Sequence, residues 1–185
     1  MRTVTVLGVA KKTAYNDIAG VDLYDIGRDM RTYSGHNPVV CHPPCRAWSR
    51  FYRHMAQPLP GEKELAIFCV ETLRRCGGVL EHPAYSLLWD ALDIPRPGER
   101  ERGGLWCVRV DQYWFGDSRR KKTWLLFAGV DRRSLVIPYR LSPRTFADLW
   151  SANSGRKRSA TPPAAAQWFV DIARESRVDC EVPIV

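Results

Sequence analysis

The segment Val39-Val40-Cys41-His42-Pro43-Pro44-Cys45 constrains the fold more than any other in the chain. Two β-branched residues open a strand and two prolines close it, because proline has no N–H to offer a sheet ladder. The expected result is a strand over Pro38 to His42 that stops abruptly and delivers Cys45 in a stiffened turn.

Other segments repeat the theme of short strands. Thr3 to Val9 and Val21 to Ile26 are apolar strands, joined by a connection with room for about two helical turns. Gly78 to Pro83 is a strand stopped by proline, Leu105 to Gln112 alternates apolar with polar residues, and Lys122 to Val130 is rich in Leu, Trp and Phe. One helix is well signalled, with Glu62 and Glu64 in its first turn, Arg74 and Arg75 in its last and Gly77-Gly78 as its stop. Leu65, Phe68, Cys69 and Leu73 form its expected buried stripe. Ala84 to Leu92 and Ser142 to Trp150 read as short helices. Thr161-Pro162-Pro163 opens a final helix to Ser176, with Thr161 as its N-cap. Strands alternating with helices predict an α/β layer fold, a compact, truncated Rossmann-like domain with a mostly parallel sheet and helices on its faces. With 185 residues the chain is read as one domain, 1–185, large enough to bury its own core. Ser151 to Ala160 is expected to be a mobile basic loop.

Charge narrows the partner. Lys plus Arg number 28 against 20 for Asp plus Glu, a net +8. Such a surplus favours nucleic acid or a nucleotide, the alternative being a solvated basic surface. No apolar run reaches the roughly 20 residues of a membrane helix. The Thr/Val alternation at the start is a strand pattern and not a secretory leader. The six cysteines therefore read as reduced thiols of a cytoplasmic protein.

Three stretches carry chemistry. Cys45 lies at the carboxyl end of its strand, where open α/β sheets place their sites. Arg46 beside it predicts a lowered thiol pKa and a nucleophile. A structural cysteine in a rigid turn is one alternative. A metal site with Cys41 and His42 is another, weakened because adjacent strand residues face opposite sides. Glu81 ends the strand Leu80-Glu81-His82-Pro83. Beside a thiolate its pKa is expected to rise through like-charge repulsion, making it a proton donor; a cap on the next helix is the plainer role. Asp111 to Thr123 interleaves Tyr113, Trp114 and Phe115 with Arg119, Arg120, Lys121 and Lys122. That composition meets phosphates and stacks bases, or forms a solvated hairpin.

In this order, these stretches resemble the DNA cytosine carbon-5 methyltransferases, above all their short phage-type members. Pro43-Pro44-Cys45 matches the family's Pro-Pro-Cys turn, and Glu81-His82-Pro83 its Glu-Asn-Val or Glu-Asn-Pro motif. Gln112 through Gly129 is similar to its basic segment leading into an apolar strand, and Thr161-Pro162-Pro163 to its closing helix. The similarity spans Val21 to Ala173. It implies attack by Cys45 on cytosine carbon 6, Glu81 at ring nitrogen 3, and Lys121, or Arg120, in place of the family's arginine. It implies S-adenosylmethionine as donor, with Asp25 on the ribose and Asp29 on the adenine amine; Gly8, Lys11, Lys12 and Pro43 are the other candidate cofactor-binding residues. The partner would be DNA, duplex or single-stranded, or a cytosine nucleotide. Arg46, Arg50, Arg53, Arg119, Arg120 and Lys122 would meet its phosphates, and no metal is implied.

The sequence departs from the family at several points. Leu7-Gly8-Val9-Ala10-Lys11-Lys12 stands where the family has Phe-x-Gly-x-Gly, Arg46 replaces its Gln, His82 replaces its Asn, and the large target-recognition domain is missing. Two alternatives stay open. In one, 5,10-methylene-tetrahydrofolate is the donor, Lys11 and Lys12 meet its glutamate tail, and hydroxymethylcytosine is the product. In the other, the chain is a non-catalytic nucleic-acid-binding relic.

Overall fold

The computed structural model describes residues 1–50, 56–117, 121–140 and 160–178. Six strands, β1 (Val4–Val9), β2 (Val21–Asp25), β3 (Val39–Cys41), β4 (Gly78–Pro83), β5 (Leu105–Asp111) and β6 (Lys122–Ala128), form one sheet in the order β2-β1-β3-β4-β6-β5. The first four are mutually parallel, and β6 runs antiparallel to both neighbours. The sheet is thus mostly parallel, as the sequence predicts and compatible with a Rossmann-like fold.

Among the described residues two long helices cover it, one on each face. Helix α1 (Glu62–Cys76) packs Cys69, Val70, Leu73 and Cys76 against Leu7, Val39, Cys41, Leu80 and Leu126. Helix α3 (Pro163–Glu175) packs Ala166, Phe169, Val170 and Ala173 against Val4, Val6, Val40, Val79 and Phe127. Alternate residues of each strand therefore face opposite helices. The short helix α2 (Leu88–Ala91) is all that forms in the predicted helix 84–92. Leu65 and Phe68, expected in the buried stripe of α1, are only partly buried at its margin. The predicted helix at 142–150 lies outside the described residues, as does nearly all of the predicted loop 151–160.

Thr161 is not the cap of α3. Pro162 holds the N-cap position with no side-chain bond, and Pro163 follows at the first helical position, where it has no N–H to cap. The Thr161 side chain lies beside the Tyr15 hydroxyl instead.

The strand order reverses beside β1: β2 lies on one side and β3 on the other. In open α/β sheets this divergence leaves a crevice at the carboxyl ends of the strands. Gly8 closes its floor. Its φ is +83°, the β1–β2 register shifts there, and a Cβ on it would lie 2.4 Å from the His42 carbonyl oxygen. Only glycine permits that approach. Gly8→Ala is expected to cost about 1–2 kcal/mol for the left-handed conformation alone, and the clash adds to it. The thermal midpoint should fall by about 5 °C or more; an unchanged midpoint in calorimetry would contradict this role.

Candidate functional site

The carboxyl ends of β3 and β4 and the start of β6 meet at one edge of the sheet. Past β3, His42 and Pro43 lead to Cys45, which opens a single 3₁₀ turn, Arg46–Trp48. Trp48 anchors this turn. It is 3% exposed, packs with Ala66 and Leu88, and its carbonyl accepts from Leu87 N at 2.9 Å. Arg46 fixes the other side through two bonds to Glu62, at 3.1 and 2.7 Å. Glu62 is 3% exposed and also accepts from Leu59 N at 3.0 Å. The loop is thus held from below while Cys45 stays open to solvent; Cys41, Cys69, Cys76 and Cys107 are buried.

Glu81 lies on the α3 side of β4, almost buried, and collects three donors. Gln112 Nε2 (3.1 Å) and Lys121 Nζ (3.4 Å) reach Oε1, and His42 Nδ1 lies 3.1 Å from Oε2. Lys121 is placed by the end of the β5–β6 hairpin. Asp111 Oδ1 accepts from Lys121 N at 3.0 Å and from Tyr113 N at 3.2 Å, and Gln112 N donates to the Lys121 carbonyl. Lys121 and Glu81 both act electrostatically on the Cys45 thiol. The structure therefore brings together Cys45, Glu81 and Lys121, three residues far apart in sequence.

Both predicted pKa shifts have the opposite sign. The Cys45 thiol lies above the usual cysteine value, because the protein crowding it outweighs Lys121, and Glu81 adds repulsion. Arg46 is turned away to Glu62. Glu81 is held well below the usual carboxylate range. Burial alone would raise it, but Lys121, His42 and His82 together outweigh burial. The free protein therefore carries a thiol and a carboxylate, not a thiolate and a carboxylic acid.

These signs are measurable. Among the described cysteines, iodoacetamide should find Cys45, more slowly at pH 7.5 than it finds a free thiol. Lys121→Ala should slow the reaction further, because a cation favouring the thiolate is gone. Faster alkylation in that variant, followed by peptide mass mapping, would contradict the electrostatic assignment.

His82 lies on the other side of β4, fully buried, 6.2 Å from Trp89 in an edge-on contact. The Pro44 carbonyl faces it, but neither ring nitrogen makes a bond of normal geometry. Burial lowers its pKa to about 4 from 6.5. The unfolded chain thus binds a proton there that the folded chain refuses, and stability is lost as pH falls from 6.5 towards 4. Glu81 adds a loss of the same sign below the ordinary carboxylate value. The urea midpoint should be lower at pH 5 than at pH 7; a higher midpoint at pH 5 would be inconsistent with both groups.

The predicted cofactor residues divide. Asp25 ends β2 and accepts from Gly27 N at 2.8 Å through Oδ1. Ile26 beside it is 89% exposed, an apolar surface the sequence reading passed over. Asp29 is otherwise engaged: it caps the turn Met30–Thr32 and binds Arg31, which holds its carboxyl below the usual range. Pro43 is buried, and Lys11 and Lys12 are exposed after β1.

The predicted phosphate contacts divide too. Arg46 is paired with Glu62, and Arg50 with Asp90. Lys122 lies 3.3 Å from the hydroxyl of Tyr85, whose ring is half exposed. Arg53, Arg119 and Arg120 lie outside the described residues. Cys41 joins the α1-side core, whereas His42 touches Phe169 on the α3 side. They point apart, as strand neighbours must, and do not converge on a metal.

Tyr15 was not singled out from sequence, and His42 only as a metal ligand. Tyr15 is fully buried, and its hydroxyl lies 2.7 Å from His42 Nε2. The available signal was parity: His42 follows Val40 by two and Glu81 follows Val79 by two, which puts both on the α3 face.

No family model matches this chain, and neither the curated proteins nor the solved structures yield a match. Among the described residues no helix is long and apolar enough to cross a membrane.

Proposed function

We propose that this protein modifies cytosine at carbon 5 through a covalent adduct on Cys45. The observation that carries the reading is the convergence of an exposed cysteine, a nearly buried glutamate and a lysine at the carboxyl ends of parallel strands. The Cys45 thiol gives its proton to solvent water, and the thiolate forms a bond to carbon 6. The electrons of the carbon 5–carbon 6 double bond move into the ring, where a proton on nitrogen 3 neutralises them. Glu81 is the group that holds that proton against nitrogen 3, and Lys121 orients Glu81 and favours the thiolate. Carbon 5, now nucleophilic, bonds the incoming carbon. The carbon-5 proton leaves to solvent water, Cys45 departs as thiolate and nitrogen 3 returns its proton to Glu81, which restores the double bond. The base must be single-stranded or flipped out of a duplex to reach Cys45. Tyr85 and Lys122 offer a ring and a cation beside it.

The residues at the end of β2 fit the adenosine half of S-adenosylmethionine. Asp25 has its second carboxylate oxygen for a ribose hydroxyl, and Ile26 supplies an apolar face for the adenine, next to the crevice floored by Gly8. When bound, that cofactor would supply an electrophilic methyl group to carbon 5. The exposed Lys11 and Lys12 keep methylene-tetrahydrofolate as a second donor. Duplex DNA, single-stranded DNA and dCMP, each incubated with each donor, are assayed by nucleoside mass spectrometry. Methylcytosine is the expected product. Hydroxymethylcytosine would replace the donor, and no modified cytosine in any combination would overturn the reading.

A further inference from the structure

Glu81 presents a problem to that chemistry: the site holds it ionised, yet the ring needs a proton. Behind it lie two hydrogen bonds in series. Tyr15 Oη lies 2.7 Å from His42 Nε2, and His42 Nδ1 lies 3.1 Å from Glu81 Oε2. Thr161 at the start of α3 lies next to the Tyr15 hydroxyl. The line runs from Tyr15 through His42 to the carboxylate, and the Tyr15 end is sealed from water.

This line closes in two ways. With His42 neutral, Tyr15 donates to Nε2 and Nδ1–H donates to Glu81. With His42 protonated, Nε2–H donates to the Tyr15 oxygen, and the Tyr15 hydroxyl turns away from the ring, towards Thr161. A hydroxyl can do this because it is both donor and acceptor. In both states each ring nitrogen of His42 keeps a partner, so neither carries the desolvation penalty of an orphaned donor or acceptor there.

We propose that His42 stores the proton that Glu81 delivers to the substrate ring, and that Tyr15 is the positioning residue that lets His42 hold or release it. The inference rests on the cytosine reading above. In the step, the Nδ1–H bond of the imidazolium breaks as an O–H bond forms on Glu81 Oε2. That O–H bond breaks as a bond to ring nitrogen 3 forms. His42 is left neutral with its proton on Nε2, donating to Tyr15, and Glu81 is again a carboxylate; the bare Nδ1 faces that carboxylate only while the adduct stands, because nitrogen 3 returns its proton through Glu81 to Nδ1 when Cys45 departs. Tyr15 is not the source, because burial and the nearby Glu81 keep it a phenol well above its ordinary range. Tyr15, Glu81 from β4 and the apolar Phe169 from α3 face the imidazole. Lys121 and His82 act on it through Glu81, and the Cys41 thiol acts on Tyr15.

The test pairs imidazole nitrogen NMR of the full chain with the pH profile of tritium release from cytosine carbon 5. Neutral His42 should carry its proton on Nδ1 in the wild type and lose that preference in Tyr15→Phe. In Glu81→Gln the Nδ1 preference should weaken as well, because an amide replaces the carboxylate that accepts from Nδ1–H. Tyr15→Phe should slow tritium release about tenfold and shift its alkaline limb. If that variant does not fold, Thr161→Val, which disturbs the same line, provides the readout. A His42 resonance indifferent to both substitutions, or a loss of rate uniform in pH, overturns the store. A wild type that releases no tritium at any pH overturns the cytosine reading itself.

Discussion

Cys45→Ala is expected to abolish modification of cytosine, by at least about 10⁴-fold, because the adduct that activates carbon 5 cannot form. The fold should not notice. Cys45 is exposed, and its loop is held by Trp48 below and by the Arg46–Glu62 pair beside it. The substitution removes one thiol from a turn whose anchors are elsewhere. Thermal midpoint and DNA affinity should therefore match the wild type while product falls to background. A variant that keeps even a tenth of wild-type product would place the chemistry on another group.

Glu81→Gln is expected to lower turnover by about 10² to 10⁴-fold, the usual scale for removing a general acid. A structural loss and a chemical one are separable here. Glutamine keeps the size and can still meet Gln112 and Lys121, so the pocket should persist. The carboxylate also disfavours the Cys45 thiolate. Removing its charge should make Cys45 alkylate faster even as turnover collapses. Slower alkylation together with lost turnover would indicate a collapsed site rather than a missing proton. The variant should also lose part of the acid sensitivity of the wild type. A carboxyl held low in the folded state stabilises above its ordinary value of 4.5 and ceases to as pH falls through the folded value; glutamine has nothing to titrate.

Much of the fold was legible because it is written locally. Paired prolines end β3, Gly77-Gly78 ends α1, and alternation marks β5. The candidate site was legible where strand ends carry chemistry, at Cys45 and Glu81, and where a cation immediately precedes β6, at Lys121. What was not legible depends on partners remote in sequence. In sequence Arg46 is the cation that lowers Cys45, but Glu62 claims it from α1. In sequence Arg50 is a phosphate contact, but Asp90 lies against it from α2. In sequence Glu81 is repelled by a thiolate, but Lys121 and His42 converge on it from two other segments. In each case the residue type was informative and the sign was set by a neighbour that only the folded chain supplies. Thr161 shows the same rule: an apt N-cap in sequence, it faces Tyr15 in the structure because two prolines after it leave little to cap.

The central claim is that Cys45 adds reversibly to carbon 6 of cytosine, and carbon-5 proton exchange measures that step without any donor. DNA and dCMP tritiated at cytosine carbon 5 are incubated with wild type and with Cys45→Ala, and tritium released to water is counted. The account predicts release by the wild type and none above background by the variant. Equal release by both, or none by either across the pH range, would contradict it.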